Sequence, residues 1–285
     1  MLGKLLKYEW KGLCSPLLIM LAVLGGTTAL TCGVILTINP KYDETITWYS
    51  VMALVLSIFL YYFGLIGCTL GTLLIIAIRF YKTCYTDQGY LTHTLPVSTR
   101  QILNAKILAS IFVNLLMLLA IAVTICIIIQ VGMHHIFSFV PGDYDELRRE
   151  FSREFSSLLY DFEDEFGIRL GAYIAYLVFY IIISIFSNIV TILGCVSLGQ
   201  LYAKHRVAGA ILAYFAVQFI MQIIGYICSI PMYTRMIAPD SYSHNLTPFG
   251  IMSPTMNLTM LMTVILAVIM YFVNLHMMTK RLNLE

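Results

Sequence analysis

Six apolar runs, each long enough to cross a bilayer, alternate with short polar segments along the chain. They cover residues 16–38, 48–78, 107–131, 170–201, 207–230 and 255–278. A membrane helix needs about 20 such residues. These runs are apolar all round instead of along one stripe, which argues against the helices of a soluble bundle. Strands of a membrane barrel would alternate apolar and polar over about ten residues, and these do not alternate. The second and fourth runs exceed a bilayer, so they must tilt, bend or extend beyond the lipid. The first run lacks a small-residue cleavage site before Asn39–Pro40 and follows a patterned segment. It is therefore expected to be a span and not a signal peptide.

The polar segments carry patterns of their own. In residues 1–13, Leu2, Leu5, Leu6 and Leu13 recur at helical spacing, Lys4, Lys7 and Lys11 share the other side, and Trp10 suits the headgroup level. This predicts an interfacial helix on the inner leaflet. In residues 140–167, Tyr144, Leu147, Phe151, Phe155, Leu158, Phe162 and Phe166 follow steps of three and four. They predict an amphipathic helix, opened near Pro141 and Asp143 and stopped at Gly167. Asp145 with Arg149, and Glu150 with Arg153, can pair along it. Residues 231–254 hold Pro231, Pro239, Pro248 and Pro254, so they cannot form one regular helix and are expected to be an irregular loop. Gly64, Gly67 and Gly71 in the second run are candidates for close helix packing.

Composition agrees with this reading, because only 11% of residues are charged against about 25% in soluble domains. Charge then orients the spans. The segments before span one, between spans two and three, between spans four and five, and after span six hold eleven cations and three anions. The other loops hold six cations and twelve anions. Lys and Arg gather on the cytoplasmic side. The expected fold is an all-α integral membrane protein, a single transmembrane domain over residues 1–285. It has six transmembrane helices, both termini cytoplasmic, an N-terminal interfacial helix, and an extracellular amphipathic helix between spans three and four.

Several chemistries lack their residues. No expected span contains Asp, Glu, Lys or Arg, which weighs against a proton-coupled secondary transporter. The chain has no HExxH, no GxSxG and no GxxxxGK[ST] phosphate loop. The seven cysteines form no CxxC or Cys/His cluster and read as small apolar side chains. His134 and His135 are adjacent on one helix and cannot face each other, so no metal is expected. No nucleic-acid partner is expected either. Polar residues do remain in the spans: Asn114, Gln130, Asn188, Thr191, Gln218, Gln222, Asn257 and Asn274. Hydrogen bonding between helices is their default role. Gln218 and Gln222 lie one turn apart and, with Asn188, are the candidates for a translocation path.

The most informative polar break is residues 85–106, YTDQGYLTHTLPVSTRQILNAK. Asp87-Gln-Gly89 is a turn or helix-start signal, and Tyr90, Leu91, Thr94 and Leu95 give one side of a short helix that Pro96 ends. Ser98 with Gln101 makes a capping box for the next helix, which runs into the third span. The unit presents a small rigid knob to the cytoplasm.

Phe80-Tyr-Lys82, Thr86-Asp-Gln-Gly-Tyr-Leu91, Thr94-Leu-Pro-Val-Ser98 and Lys106 resemble the first cytoplasmic loop of type-2 ABC exporter permeases, above all the small stand-alone kind of Gram-positive bacteria. The layout of the whole chain is similar to that family. The resemblance implies that Gln88, Gly89, Tyr90, Leu91, His93, Thr94 and Leu95 form a coupling helix seated in a separate ABC ATP-binding subunit. It implies a smaller contact through Gln200, Lys204, His205 and Arg206. ATP and Mg would be bound by the partner and no cofactor by this chain, which is then not itself an enzyme. A second permease subunit, identical or related, would complete the complex in the bacterial plasma membrane. The cargo would be a hydrophobic or amphipathic compound such as an antimicrobial peptide or drug. The long acidic helix in residues 140–167 departs from the family's pattern. The alternatives are a non-transporting membrane scaffold or regulatory subunit, and a secondary transporter.

Overall fold

In a computed structural model of the chain, the structure describes residues 2–37, 44–86, 88–89, 94, 96–137, 144–202, 205–237 and 247–280. They form seven long helices: α1 (Leu2–Thr37), α2 (Glu44–Tyr85), α3 (Thr99–Phe137), α4 (Tyr144–Phe166), α5 (Leu170–Gly199), α6 (Arg206–Ile237) and α7 (Pro248–Lys280). All except α4 are long and apolar enough to cross a membrane. Rows of large apolar side chains, Phe59, Phe63, Phe215, Phe219 and Phe272 among them, are exposed. On a water-soluble protein such surfaces would drive association. On six helices of this length they are the lipid face, and the chain is an all-α, multi-pass membrane protein.

Helix boundaries refine the expected layout. Residues 1–13 and the first span, expected as separate pieces, form one helix, α1, continuous through Pro16. Proline removes one backbone hydrogen bond, and here this does not end the helix. The expected irregular loop 231–254 is also shorter than its prolines imply. Pro231 lies inside α6 and Pro254 inside α7. Pro248 opens α7, the position where a missing N–H is harmless. α2 has 42 residues, roughly 63 Å at 1.5 Å per residue, about twice a bilayer core.

The chain divides into two compact units, Met1–Arg79 with Gln101–Arg148, and Phe80–Arg100 with Arg149–Glu285. In the first, α1 and α2 pack antiparallel along a seam of small and hydroxylated residues. Thr31 Oγ1 donates to Ser57 O at 3.3 Å, and Cys68 Sγ to Met20 O at 3.5 Å. A Cβ on Gly64 would sit 3.1 Å from Thr27, and one on Gly71 2.9 Å from Met20. A Cβ on Gly67 would meet nothing within 4 Å. Of the three glycines read as packing residues, Gly64 and Gly71 therefore lie on the seam and Gly67 does not. Tyr61 and Thr124 join α2 to α3 through a hydroxyl pair at 2.9 Å.

In the second unit α5 is the central helix, buried from Ser187 to Ser197 except at Asn188, and packed on both α6 and α7. At the α5–α6 turn a Cβ on Gly199 would lie 2.5 Å from the backbone nitrogen of Ala210, so only glycine lets these helices approach so closely. α4 stops where its sequence predicts. Gly167 adopts φ +74°, its N–H donates to Glu163 O at 2.9 Å, and the left-handed residue closes the helix. Phe162 and Phe166 stack 4.3 Å apart and meet Tyr173. Tyr173 in turn meets Phe249 of α7. The aromatic stripe thus serves, at this end, to seat α4 on the starts of α5 and α7.

Candidate functional site

The segment 85–106 begins inside the protein. Tyr85, the last residue of α2, is 1% exposed. Its hydroxyl donates to Ser197 Oγ of α5 at 2.8 Å, and Ser197 Oγ donates to Asn274 Oδ1 of α7 at 2.5 Å. Asn274 Nδ2 reaches Val190 O at 3.5 Å. Ser197 and Asn274 are both fully buried. Three helices are thereby linked by one chain of polar groups in an apolar interior, where each group needs its partner. Phe80 meets the Tyr85 ring edge-on at 6.0 Å. The spans' polar residues were expected to bond between helices, and Asn274 does so. Asn257 does too, accepting from the Tyr176 hydroxyl at 2.9 Å.

After Tyr85 the segment turns outward. Thr86 Oγ1 donates to Lys82 O, and Gly89 N–H donates to Thr86 O, both at 2.6 Å. Gln88 and Thr94 are exposed, whereas Gly89 is buried. Tyr90, Leu91, His93 and Leu95, the remaining residues of the expected coupling helix, lie outside the described residues. α3 opens at Thr99, directly after the expected cap Ser98.

The second expected contact, between α5 and α6, divides in the same way. Gln200 is buried, and its Nε2 donates back to Val196 O at 3.3 Å. The side chain turns back along α5. His205 is exposed and its carbonyl accepts from Gly209 N–H at 2.9 Å. Arg206 opens α6, and Lys204 lies outside the described residues.

Gln218 and Gln222 come together on the wall of a cavity of about 370 Å³ between α6 and α7. Ser229, Thr259 and Thr263 add hydroxyls to it, and Met221 and Met262 add apolar surface. Asn188, the third path candidate, does not line this cavity. Its Oδ1 is buried without a hydrogen-bond partner among the described residues.

One cluster gave no signal in the sequence beyond its charges. Within the first unit, Glu9 of α1 accepts from Lys106 Nζ of α3 at 2.5 Å and from Arg79 Nε of α2 at 3.3 Å. Lys106 is 4% exposed and Glu9 17%. The Arg79 guanidinium occupies the place where Gly12 would carry a Cβ. Trp10 meets Phe112 edge-on at 4.8 Å. One carboxylate thus ties the start of α1 to α2 and α3.

Comparison with known proteins gives no match: no family model fits the chain, and no curated protein and no solved structure is similar to it.

Proposed function

We propose that this chain is the membrane-spanning permease subunit of an ATP-driven exporter, working with a separate ATP-binding subunit that grips the segment 85–106. The observation that supports this reading best is the buried chain Tyr85–Ser197–Asn274. A force applied to the segment reaches α5 and α7 through Tyr85, because parting these groups would strand buried polar atoms. α7 also forms one wall of the cavity that holds Gln218 and Gln222. The segment therefore acts on the helix that borders the candidate path.

In this mechanism ATP draws two binding subunits together, and the segment 85–106 carries their movement into the spans of two permease subunits. Access to the path changes from one side of the plasma membrane to the other. ATP must favour one of the two states for the change to occur. The cargo is hydrophobic or amphipathic, consistent with spans free of charge.

The test is purification from the native membrane, in which an ATP-binding subunit should accompany the chain in equal number. Substituting Tyr90 and Leu91 by Ala should then abolish cargo-stimulated ATP hydrolysis while leaving membrane insertion intact. Unchanged stimulation in that variant would sink the proposal.

A further inference from the structure

The cavity between α6 and α7 has the size of a small-molecule site, which runs from about 300 to 1,000 Å³. Among the described residues its lining holds no Asp, Glu, Lys, Arg or His, so none of them offers a counter-charge to an ion. It is not simply apolar either. Three of its hydroxyls are already engaged: Ser229 donates to Tyr226 O, Thr259 to Met256 O and Thr263 to Met260 O, each at 2.7–2.9 Å. The phenols of Tyr226 and Tyr233 and the two side-chain amides add to this polar lining. Gln218 is paired with the Tyr214 hydroxyl, and Gln222 is exposed at the cavity wall. They are one helical turn apart and face the same way. An amide held at membrane depth is costly unless it is used. A purely apolar occupant would leave the Gln222 amide unsatisfied, and a charged one would lose its water with no counter-charge from the described lining.

We propose that this cavity binds an uncharged amphiphile. The Gln218 and Gln222 amides hold its carbonyl, amide or hydroxyl group, and its chain lies against Met221, Ile224 and Met262. The permease reading bears on the fate of this ligand and not on its binding. The ligand could be a neutral lipid of the bilayer or a compound that arrives from outside it. Both present the same chemistry to the cavity.

The test uses the full chain in phosphatidylcholine nanodiscs and three photoactivatable probes with one alkyl chain. The first ends in a primary amide, the second in an ammonium, the third in a carboxylate. Mass spectrometry of the adducts should place the amide probe on peptides covering residues 218–233 and 259–263, about tenfold above the charged probes. The Gln218→Leu/Gln222→Leu variant should lose that labelling by about tenfold, as for a polar group left without its bond. Gln222→Glu should shift the preference to the ammonium probe, which also shows that the helix pair still forms. Equal labelling by all three probes, or full labelling of the Leu variant, overturns the site. Displacement of the amide probe by excess diacylglycerol identifies a bilayer lipid as the occupant, and resistance to it a compound from outside the bilayer. Labelling needs no ATP. An unlabelled cavity in a complex that still couples ATP therefore overturns the site alone, and a labelled cavity without an ATPase partner overturns the permease reading alone.

Discussion

A hydroxyl inside a membrane bundle commonly turns back to its own helix, as Thr191 does to Ser187 O. Ser197 instead accepts from Tyr85 and donates to Asn274. Its removal therefore strands two buried groups at once. Ser197→Ala should cost about 2 kcal/mol, lowering the apparent Tm of the protein in micelles by roughly 4–8 °C. Tyr85→Phe deletes one bond and leaves only an acceptor unfilled, so its shift should be about half as large. If Ser197→Ala melts like the unsubstituted protein, the chain of bonds does not hold these helices. Glu9 has a comparable place in the first unit, where it serves two cations. Glu9→Leu should destabilise by about 3 kcal/mol, and Glu9→Leu with Lys106→Leu should recover most of that. Removing one member of a buried pair leaves a charge behind, whereas replacing both does not. Additive losses in this double-mutant cycle would show that the two side chains are not coupled.

At the scale of elements, close approach depends on particular glycines. Gly199→Ala would place a methyl 2.5 Å from the Ala210 nitrogen, and rigid backbone cannot yield as a side chain can. The expected cost is about 1–3 kcal/mol. Gly67→Ala meets nothing within 4 Å and should stay within about 0.5 kcal/mol. Paired thermal scans of the two variants decide the matter, and equal shifts would contradict the packing described. The contrast also shows what a sequence can disclose. Six spans are legible because hydropathy is a property of neighbouring residues. The stripe of α4 and its stop at Gly167 are legible for the same reason, since periodicity and a left-handed glycine act within a few turns. The triplet Gly64, Gly67 and Gly71 looks uniform in sequence, yet only two of its members meet α1. Ser197 and Glu9 gave no sign of their partners, which lie tens of residues away. Asn274 was conspicuous as an amide in a span, and the structure supplied its partner. Gln218 and Gln222 were legible as a pair because a single helical turn relates them. The cavity they line needed α7 as well.

For the whole molecule, the distribution of charge predicts an orientation with both termini in the cytoplasm. The segments that contain Lys82, Arg100, Lys106 and Arg206 are rich in cations, whereas α4 and its flanks hold most of the acids. Exchanging the two sides would carry the basic set across the membrane, against the bias that fixes insertion. Exposed serines offer a direct reading, because Ser156 on α4 and Ser98 before α3 are both accessible. A Ser156→Cys variant in intact cells should react with a membrane-impermeant maleimide. A Ser98→Cys variant should react only after the membrane is opened. The native cysteines form the background, and the unsubstituted protein measured alongside subtracts it. Labelling of Ser98→Cys in intact cells would place the segment 85–106 outside, where no cytoplasmic ATPase could reach it. The same result would also invert the cavity and change the side from which an amphiphile enters. Orientation is therefore the property on which the permease reading and the direction of transport jointly depend, and it can be measured before any partner or cargo is in hand.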